Sequence, residues 1–467
     1  MPSEGQDHDS RCRLAGPLAR QPATAEYRAE PRGGLRAPAH RIGAALLTAL
    51  APPIAGALLI HLLWPTRWTG QGAWPVVADS ASLLVACLAE LVLLVHAAAV
   101  VHAALVAGDP APAAPLTGTR AAFLVTYVPG AEALSGVRAT LEGAVRMRPP
   151  GPLDVWLLDE GDDPEARMLC AELGVHHFTR LGVPEWNTET GPHRAWTRHG
   201  NLNAWLAKHG GDHDLLVSVA PGYVPLPELL ERMTGHFRDP SVAFVVGPEA
   251  GRGGGAALTG AAGSGRRLRA LVQRAGNRYG TPLLDGAATA VRIEALRRAG
   301  GFRDSAAGDL ATGFEMHRLR DPDTGGYQGS VRIPEVVVVA TGDTSAARAD
   351  TSGRRPGEAY GALLRSWAGE LFTMPPGRLL ACTLTLLRRP VALVTWLLAG
   401  LSLVVACTHT GRGLWAVLPV LAALVPTAVH TVAVLRDRAR RRAVPRPGTA
   451  RPAKEKTALA TTPAGGN

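Results

Sequence analysis

Four acidic residues follow one apolar segment of the sequence and could bind a nucleotide. The segment "LDVWLLDEG" (residues 153–161) and the two residues after it place Asp159, Glu160, Asp162 and Asp163 at the end of a predicted strand. Carboxylates at the carboxyl end of a strand can accept hydrogen bonds from the base or ribose of a nucleotide. The last two also precede a predicted helix, whose first turn favours aspartate caps. We therefore predict ligand binding by Asp159 and Glu160, and helix capping by Asp162 and Asp163.

Histidines and cysteines are placed in ways that argue against a metal site or a disulfide framework. Six histidines are grouped in the sequence, but none forms a His-Glu-x-x-His pair or an equivalent helical spacing: His176, His177, His193, His199, His209 and His213. Solvent-exposed loop histidines or nucleotide contacts explain them better than a metal site. The five cysteines are far apart and have no Cys-x-x-Cys spacing: Cys12, Cys87, Cys170, Cys382 and Cys407.

Alternating strand and helix patterns must position these residues. Apolar strands are predicted at residues 121–128, 153–161 and 214–220, and helices at 133–147, at 163–174 and from residue 199 onward. Continuous apolar strands between amphipathic helices are typical of a doubly wound, mostly parallel α/β sheet. Such sheets bind ligands beyond the carboxyl ends of their strands, where Asp159 is expected.

Four apolar segments on either side of this region predict membrane helices. Residues 41–64, 74–107, 390–408 and 414–435 are near or above the roughly 18 to 20 residues needed to cross a bilayer. Buried core helices are the alternative. A soluble helix of this length keeps a charged face, however, and these segments carry few charges, such as Glu90.

The distribution of charge predicts a topology. The net charge of +10 is concentrated beside the apolar segments, as in "RDRARRR" at residues 436–442, which follows the positive-inside rule and argues against nucleic-acid binding. Both termini and the large central domain are therefore predicted on the cytoplasmic side of the plasma membrane. The predicted division is a disordered tail at 1–40, two membrane helices within 41–107, a cytoplasmic domain at 108–371, an interfacial helix at 372–389, two membrane helices within 390–435 and a basic disordered tail at 436–467.

Four segments occur in the order found in one enzyme family. They are "LLDEGDDPEARMLCAELGVHHFTR", "RHGNLNAWL", "VPLPELLERMTGHFRDPSVAFVVGP" and "GDLATGFEMHR". Set between membrane helices, they resemble the membrane-bound family-2 glycosyltransferases of the cellulose-synthase-like type. The resemblance covers roughly residues 121–371 and the flanking segments. It implies a GT-A fold that binds a nucleotide-diphosphate sugar at the cytoplasmic face and extends a polysaccharide or glycolipid.

The resemblance also implies roles for individual residues. The donor nucleotide would contact six of them, with an arginine in place of the family's lysine: Tyr127, Asp159, Glu160, Arg198, Asn201 and Asn203. Asp309 matches the aspartate of the family's Thr-Glu-Asp motif, the general base that deprotonates the acceptor hydroxyl. Arg365 and Trp367 lie in the segment that matches the Gln-x-x-Arg-Trp motif and would contact the diphosphate and the acceptor.

Three departures from the family pattern predict impaired activity. Ala220 and Gly222 stand where the family has the Asp-x-Asp pair for Mg²⁺ or Mn²⁺, and neither has a side-chain oxygen. The glutamate of Thr-Glu-Asp is Gly308. In the acceptor motif Ala362 replaces the glutamine and Trp367 is one position late, a rotation of about 100° on a helix. Loss of the metal alone removes several kcal/mol of transition-state stabilisation.

Three functions remain open at this point. The combined losses favour an impaired or non-catalytic relative that binds a nucleotide sugar or acts as the partner of an intact glycosyltransferase. An active transferase that uses Asp309 without the metal motif is the second. The third is a membrane-anchored nucleotide-binding module unrelated to sugar transfer, which the order of the motifs disfavours.

Overall fold

A computed structural model of the chain describes residues 102–103, 105–250, 271–305, 308–321 and 325–341, together with residues 18, 31–32, 84, 87–88, 375 and 377–378. The predicted membrane helices, interfacial helix and tails fall almost entirely outside these residues, and so do Arg365 and Trp367. Among the residues that the structure describes, no helix is both long enough and apolar enough to cross a membrane.

From residue 121 onward the strands are, in chain order, β1 (Ala121–Tyr127), β2 (Leu153–Asp159), β3 (His176–Phe178), β4 (Leu215–Val219), β5 (Tyr223–Pro225), β6 (Val242–Gly247), β7 (Glu249–Ala250), β8 (Ala288–Arg292), β9 (Gly329–Arg332) and β10 (Val338–Ala340). The central sheet has the order β9-β6-β8-β4-β1-β2-β3, and a small second sheet has the order β5-β10-β7. In the central sheet only β8 runs antiparallel to its neighbours, β4 and β6. The predicted mostly parallel arrangement is confirmed.

Helices cover both faces of the central sheet. They are α1 (Leu134–Val145), α2 (Pro164–Leu173), α3 (Arg198–His209), α4 (Leu229–Thr234), α5 (Ile293–Arg298) and α6 (Gly308–Arg318). Successive side chains of a strand point to opposite faces, so β1 contributes to two cores. Phe123 belongs to the cluster that contains Leu141 of α1, whereas Leu124 belongs to the cluster that contains Leu202 and Trp205 of α3. This confirms the doubly wound α/β architecture.

The turn after β2 corrects one of the two predicted caps. Asp163 is the N-cap of α2, and its carboxylate accepts a hydrogen bond from the Glu165 N–H at 2.9 Å, as predicted. Asp162 is not a cap. Its backbone has a φ of +55°, and its carboxylate is paired with Arg167 of the same helix. A helix has one N-cap position, and the residue next to the first turn occupies it.

Candidate functional site

The site lies at the edge where the parallel strands β1, β2 and β4 end. Tyr127 and Asp159, the last residues of β1 and β2, are paired in register. Parallel strands present their carboxyl ends at the same edge, so the residues that follow them are neighbours in space. The first residues of α3 and α6 meet at this edge, because Arg198 contacts both Asp309 and Ser218 of β4.

Arg198 and Asp309 form the ion pair at the centre of the site. Nη1 of Arg198 donates to both carboxylate oxygens of Asp309 at 3.0 Å, and Nη2 donates to the Ser218 hydroxyl at 3.1 Å. The side chains of Arg198 and Asp309 remain 29% and 41% exposed. The sequence placed these residues in one site through the family resemblance, and the structure brings them into direct contact.

His199 is a third member of this group, which the sequence analysis did not single out as a site residue. Its Nε2 donates to Asp309 Oδ1 at 3.1 Å. Gly308 makes room for the imidazole ring, because a Cβ atom at that position would lie 2.5 Å from His199 Cε1 and 2.5 Å from the Arg303 carbonyl oxygen. The family's glutamate therefore does not fit here unless His199 and the backbone near Arg303 shift. Two features of the sequence could have indicated His199. It follows Arg198, the residue at the family's cation position, and Gly308 replaces the family's glutamate.

The surroundings of Asp309 weaken it as a base. Partial desolvation of the carboxylate by the surrounding protein favours a higher pKa, but the adjacent Arg198 charge and the hydrogen bond from His199 outweigh this effect and hold the pKa of Asp309 well below its ordinary value. A general base works best when its pKa is near the operating pH. In this arrangement the Asp309 carboxylate is ionised and bound to two donors, and it has little tendency to take a proton from a sugar hydroxyl.

Asp159 and Tyr127, both predicted donor contacts, are occupied by contacts within the protein. Asp159 is fully buried, and its oxygens accept hydrogen bonds from the Gly161 and Asp163 N–H groups and from His177 Nε2, at 2.6 to 3.0 Å. The Tyr127 hydroxyl donates to Asp163 at 3.1 Å. Burial and this hydrogen bond raise the pKa of Tyr127 to about 12. Both residues shape the turn after β2, and their contact with a nucleotide stays a prediction.

Glu160 is half of a buried ion pair that organises the segment before α3. Arg180 Nε and Nη2 donate to the two oxygens of Glu160 at 2.9 and 2.5 Å, and the Arg180 side chain has no exposed surface. The guanidinium also donates to the carbonyl oxygens of Trp186, His193 and Arg194. The pair therefore fixes the loop that leads to Arg198.

Asn201 and Asn203 are buried in the structure. Asn201 Nδ2 donates to the Leu158 carbonyl oxygen of β2 at 3.0 Å. Asn203 donates to the carbonyl oxygens of Pro192 and Phe302 and accepts from the Phe302 N–H. These amides tie α3 to its neighbours, which accounts for asparagine at 203, whereas the Oδ1 atom of Asn201 is buried and has no hydrogen-bond partner among the described residues. Their predicted nucleotide contact is not tested.

The residues at the family's metal position do not fit a divalent cation. The Ala220 methyl packs against the hydrophobic core around α1. Gly222 has a φ of +80°, its N–H donates to Gly136 O and Thr140 Oγ1, and its carbonyl accepts from Thr341. Mg²⁺ and Mn²⁺ need hard oxygen ligands, and neither Ala220 nor Gly222 offers a side-chain oxygen, while the carbonyl of Gly222 is already hydrogen-bonded.

A second group of residues brings metal-binding atom types together next to this edge. Ligand atoms of Asp159, Asp162 and His177 lie within 4.8 Å of one another. Each of these side chains is already engaged, since Asp159 binds two backbone N–H groups and His177, and Asp162 is paired with Arg167. We interpret the trio as a hydrogen-bonded turn.

Glu132 is a further acidic residue at this edge that the sequence analysis did not single out. It follows β1, and its carboxylate accepts from the Val128 N–H at 2.9 Å. Burial raises the pKa of Glu132 to about 7, against the opposing effects of that hydrogen bond and of the Arg198 charge. The sequence could have indicated Glu132, because it is an acidic residue shortly after the first predicted strand.

The substitution Glu132→Gln is expected to change how stability depends on pH. With a raised pKa, the folded protein holds this proton between about pH 4.5 and 7 while the unfolded chain has lost it, so the stabilising contribution falls as pH rises from about 4.5 and is lost by about pH 7. The free energy of unfolding of the unmodified chain, relative to the variant, should fall by about 2 kcal/mol from pH 5 to pH 8. Chemical unfolding of both purified chains measures this. Parallel pH profiles would contradict the assignment.

No protein-family model matches the chain. The cellulose synthase catalytic subunit [UDP-forming] of Xanthomonas axonopodis pv. citri (strain 306) is 33% identical over 128 residues, which are 27% of this chain and 15% of that protein. The chain thus matches only a small part of the length of this curated relative.

Solved structures of glycosyltransferases are also similar to the chain. The mannosyltransferase PcManGT from Pyrobaculum calidifontis, in complex with GDP-Man and Mn²⁺, is 16% identical, with 76% of this chain and 99% of that chain covered and a TM-score of 0.48. Glucosyl-3-phosphoglycerate synthase from Mycobacterium tuberculosis, in complex with Mn²⁺ and UDP-Glc, is 17% identical, with 53% and 79% covered and a TM-score of 0.35.

Proposed function

We propose that the chain is a multi-pass plasma-membrane protein of the cellulose-synthase-like, family-2 glycosyltransferase type. Its cytoplasmic GT-A domain binds a nucleotide-diphosphate sugar but has little or no transferase activity. The motif order, the mixed sheet and the partial similarity to a cellulose synthase catalytic subunit support the type. The observation that carries the activity proposal is the Arg198–Asp309 ion pair beside a metal position without acids.

Two parts of the family reaction are weakened in this site. Transfer requires that a base take the acceptor hydroxyl proton, and Asp309 is held as a carboxylate by Arg198 and His199. It also requires that charge on the leaving diphosphate be stabilised, a task that a metal ion performs in the family. Arg198 supplies one positive charge. This charge is enough to bind a diphosphate, but it stabilises the departing diphosphate less than a divalent metal ion would.

A chain that binds the donor and does not transfer it would serve as a partner of an intact glycosyltransferase. The flanking apolar segments would hold both proteins in one membrane, and the domain would face the cytoplasmic pool of nucleotide sugars. An active transferase remains the second candidate function. It is favoured by one observation, which is that the Asp309 side chain stays 41% exposed at the edge where an acceptor would approach.

Direct binding tests this proposal. Titration of the purified full chain with UDP, GDP, UDP-glucose and GDP-mannose in a calorimeter should show saturable binding of at least one of them. ADP and free glucose serve as ligand controls, and a chain unfolded by heating serves as the protein control. The absence of saturable binding for all four ligands, at millimolar concentration and with or without Mn²⁺, would contradict a donor-binding function.

A further inference from the structure

We propose that Arg198 binds the donor diphosphate without a metal ion, and that Asp309 competes with the diphosphate for this guanidinium. The inference rests on the proposed donor binding and specifies how the site performs it. It also gives Asp309 an unexpected role, because its carboxylate holds the guanidinium that the diphosphate would bind and so opposes donor binding.

The position of Arg198 supports its role as the cation of the site. Its guanidinium reaches Ser218 Oγ, and Ser218 is two residues before Ala220, a separation of about 7 Å along an extended chain. A positive charge therefore lies close to the strand end where the family places its metal. Arg198 also keeps 29% of its side chain exposed, so a ligand can approach it.

Two neighbouring arginines make other contacts. Arg180 is fully buried against Glu160 and three backbone carbonyl groups. Arg194 is paired with Asp304 at 3.2 Å. Arg198 is the one of these three whose guanidinium contacts the end of a central strand.

The chemistry of the ion pair makes the exchange feasible. A guanidinium presents a planar fork of donors that matches phosphate oxygens as well as carboxylate oxygens. In the described geometry one nitrogen of Arg198 serves both oxygens of Asp309, which is not the parallel two-nitrogen arrangement. Partly exposed ion pairs are weak, so a diphosphate with more than one negative charge can displace the carboxylate.

Binding and the state of Asp309 are then linked. Donor binding would draw Arg198 away from Asp309, and the carboxylate would keep only the hydrogen bond from His199. The reverse also holds, because linkage is reciprocal, so removal of the Asp309 charge must strengthen donor binding. A residue that contacts the donor favourably would have the opposite effect, since its removal would weaken donor binding.

Calorimetry of the full chain with UDP and with GDP, in buffer containing EDTA and then in buffer containing MnCl₂, tests the proposal. Affinity should differ less than about twofold between the two buffers. Arg198→Ala should weaken binding at least about tenfold, and Asp309→Asn should tighten it about three- to tenfold.

Asp304→Asn is the matched control, because it removes one negative charge from an aspartate paired with Arg194 and should change affinity less than about twofold. Unfolding midpoints establish that each variant is folded, and Asp309→Ala repeats the test with a smaller side chain.

The outcomes separate this inference from the proposed function. Binding that is unchanged or weaker in both Asp309 variants overturns the competition. Binding that requires Mn²⁺ overturns the metal-free role, and its loss in His177→Ala would place the ion at Asp159, Asp162 and His177. If neither UDP nor GDP binds in any buffer, while a nucleotide sugar does, the inference fails and the proposed function stands. If none binds, both fail.

Discussion

Replacement of Arg180 by methionine should lower the free energy of unfolding by about 3–5 kcal/mol. The change leaves the buried Glu160 carboxylate without its cation and leaves the carbonyl oxygens of Trp186, His193 and Arg194 without their shared donor. A charge that is buried and unpaired carries the full cost of its lost hydration. Chemical unfolding of the purified full chain measures the difference.

An exposed ion pair of similar geometry provides the control. Arg138 donates to both oxygens of Glu172 at 2.9 Å, and the two side chains are 44% and 57% exposed. Because solvent screens this pair, Arg138→Met should cost far less stability than Arg180→Met. Addition of Glu160→Leu to Arg180→Met should restore part of the lost stability, since it removes the unpaired charge. Equal costs at Arg180 and Arg138 would show that burial of the pair is not what stabilises this loop.

Gly308→Glu, which introduces the glutamate that the family resemblance would place at this position, should destabilise the protein by about 2–3 kcal/mol. Its Cβ would lie 2.5 Å from both His199 Cε1 and the Arg303 carbonyl oxygen, so the ring and the backbone would have to move. The same change at Gly211 is the control, because a Cβ there has no neighbour closer than 3.6 Å, and it should cost less than about 0.5 kcal/mol.

A double-mutant cycle tests whether His199 and Gly308 are a matched pair. His199→Ala removes the ring that a side chain at 308 would meet, so Gly308→Glu should cost at least about 1 kcal/mol less in that background. The contact with the Arg303 carbonyl remains and should limit the rescue. Additive effects of the two changes would mean that His199 does not determine which residue fits at 308.

The sequence predicted the sheet better than the site. β1 and β4 are largely apolar, fully buried runs, and β2 is apolar apart from Asp154 and Asp159; the length and composition of these segments are sufficient to indicate strands within one or two residues of the observed ends. Asp309 and Arg198 were selected through the family resemblance, and 111 positions separate them in the chain. Their ion pair depends on where α3 and α6 start relative to the sheet, which local patterns do not encode.

Burial explains why several predicted binding residues acquired structural contacts. Asp159, Glu160 and Asn201 all lie at the edge that the sequence indicated, but each is buried and bonded to the protein. A carboxylate or amide that holds a loop and one that binds a ligand have the same residue type and spacing. Only the partner distinguishes them, and for Glu160 the partner is Arg180, 20 positions later in the chain.

The central claim is that this site binds a donor without turning it over, and the release of free nucleotide from a nucleotide sugar tests it most directly. The full chain, in membranes or detergent, is incubated with whichever of UDP-glucose and GDP-mannose it binds, beside Asp309→Asn. We predict that the unmodified chain releases nucleotide no faster than the Asp309→Asn variant, with or without Mn²⁺. Release that is clearly above background in the unmodified chain, and that disappears in Asp309→Asn, would contradict the account and establish an active transferase with Asp309 as its base.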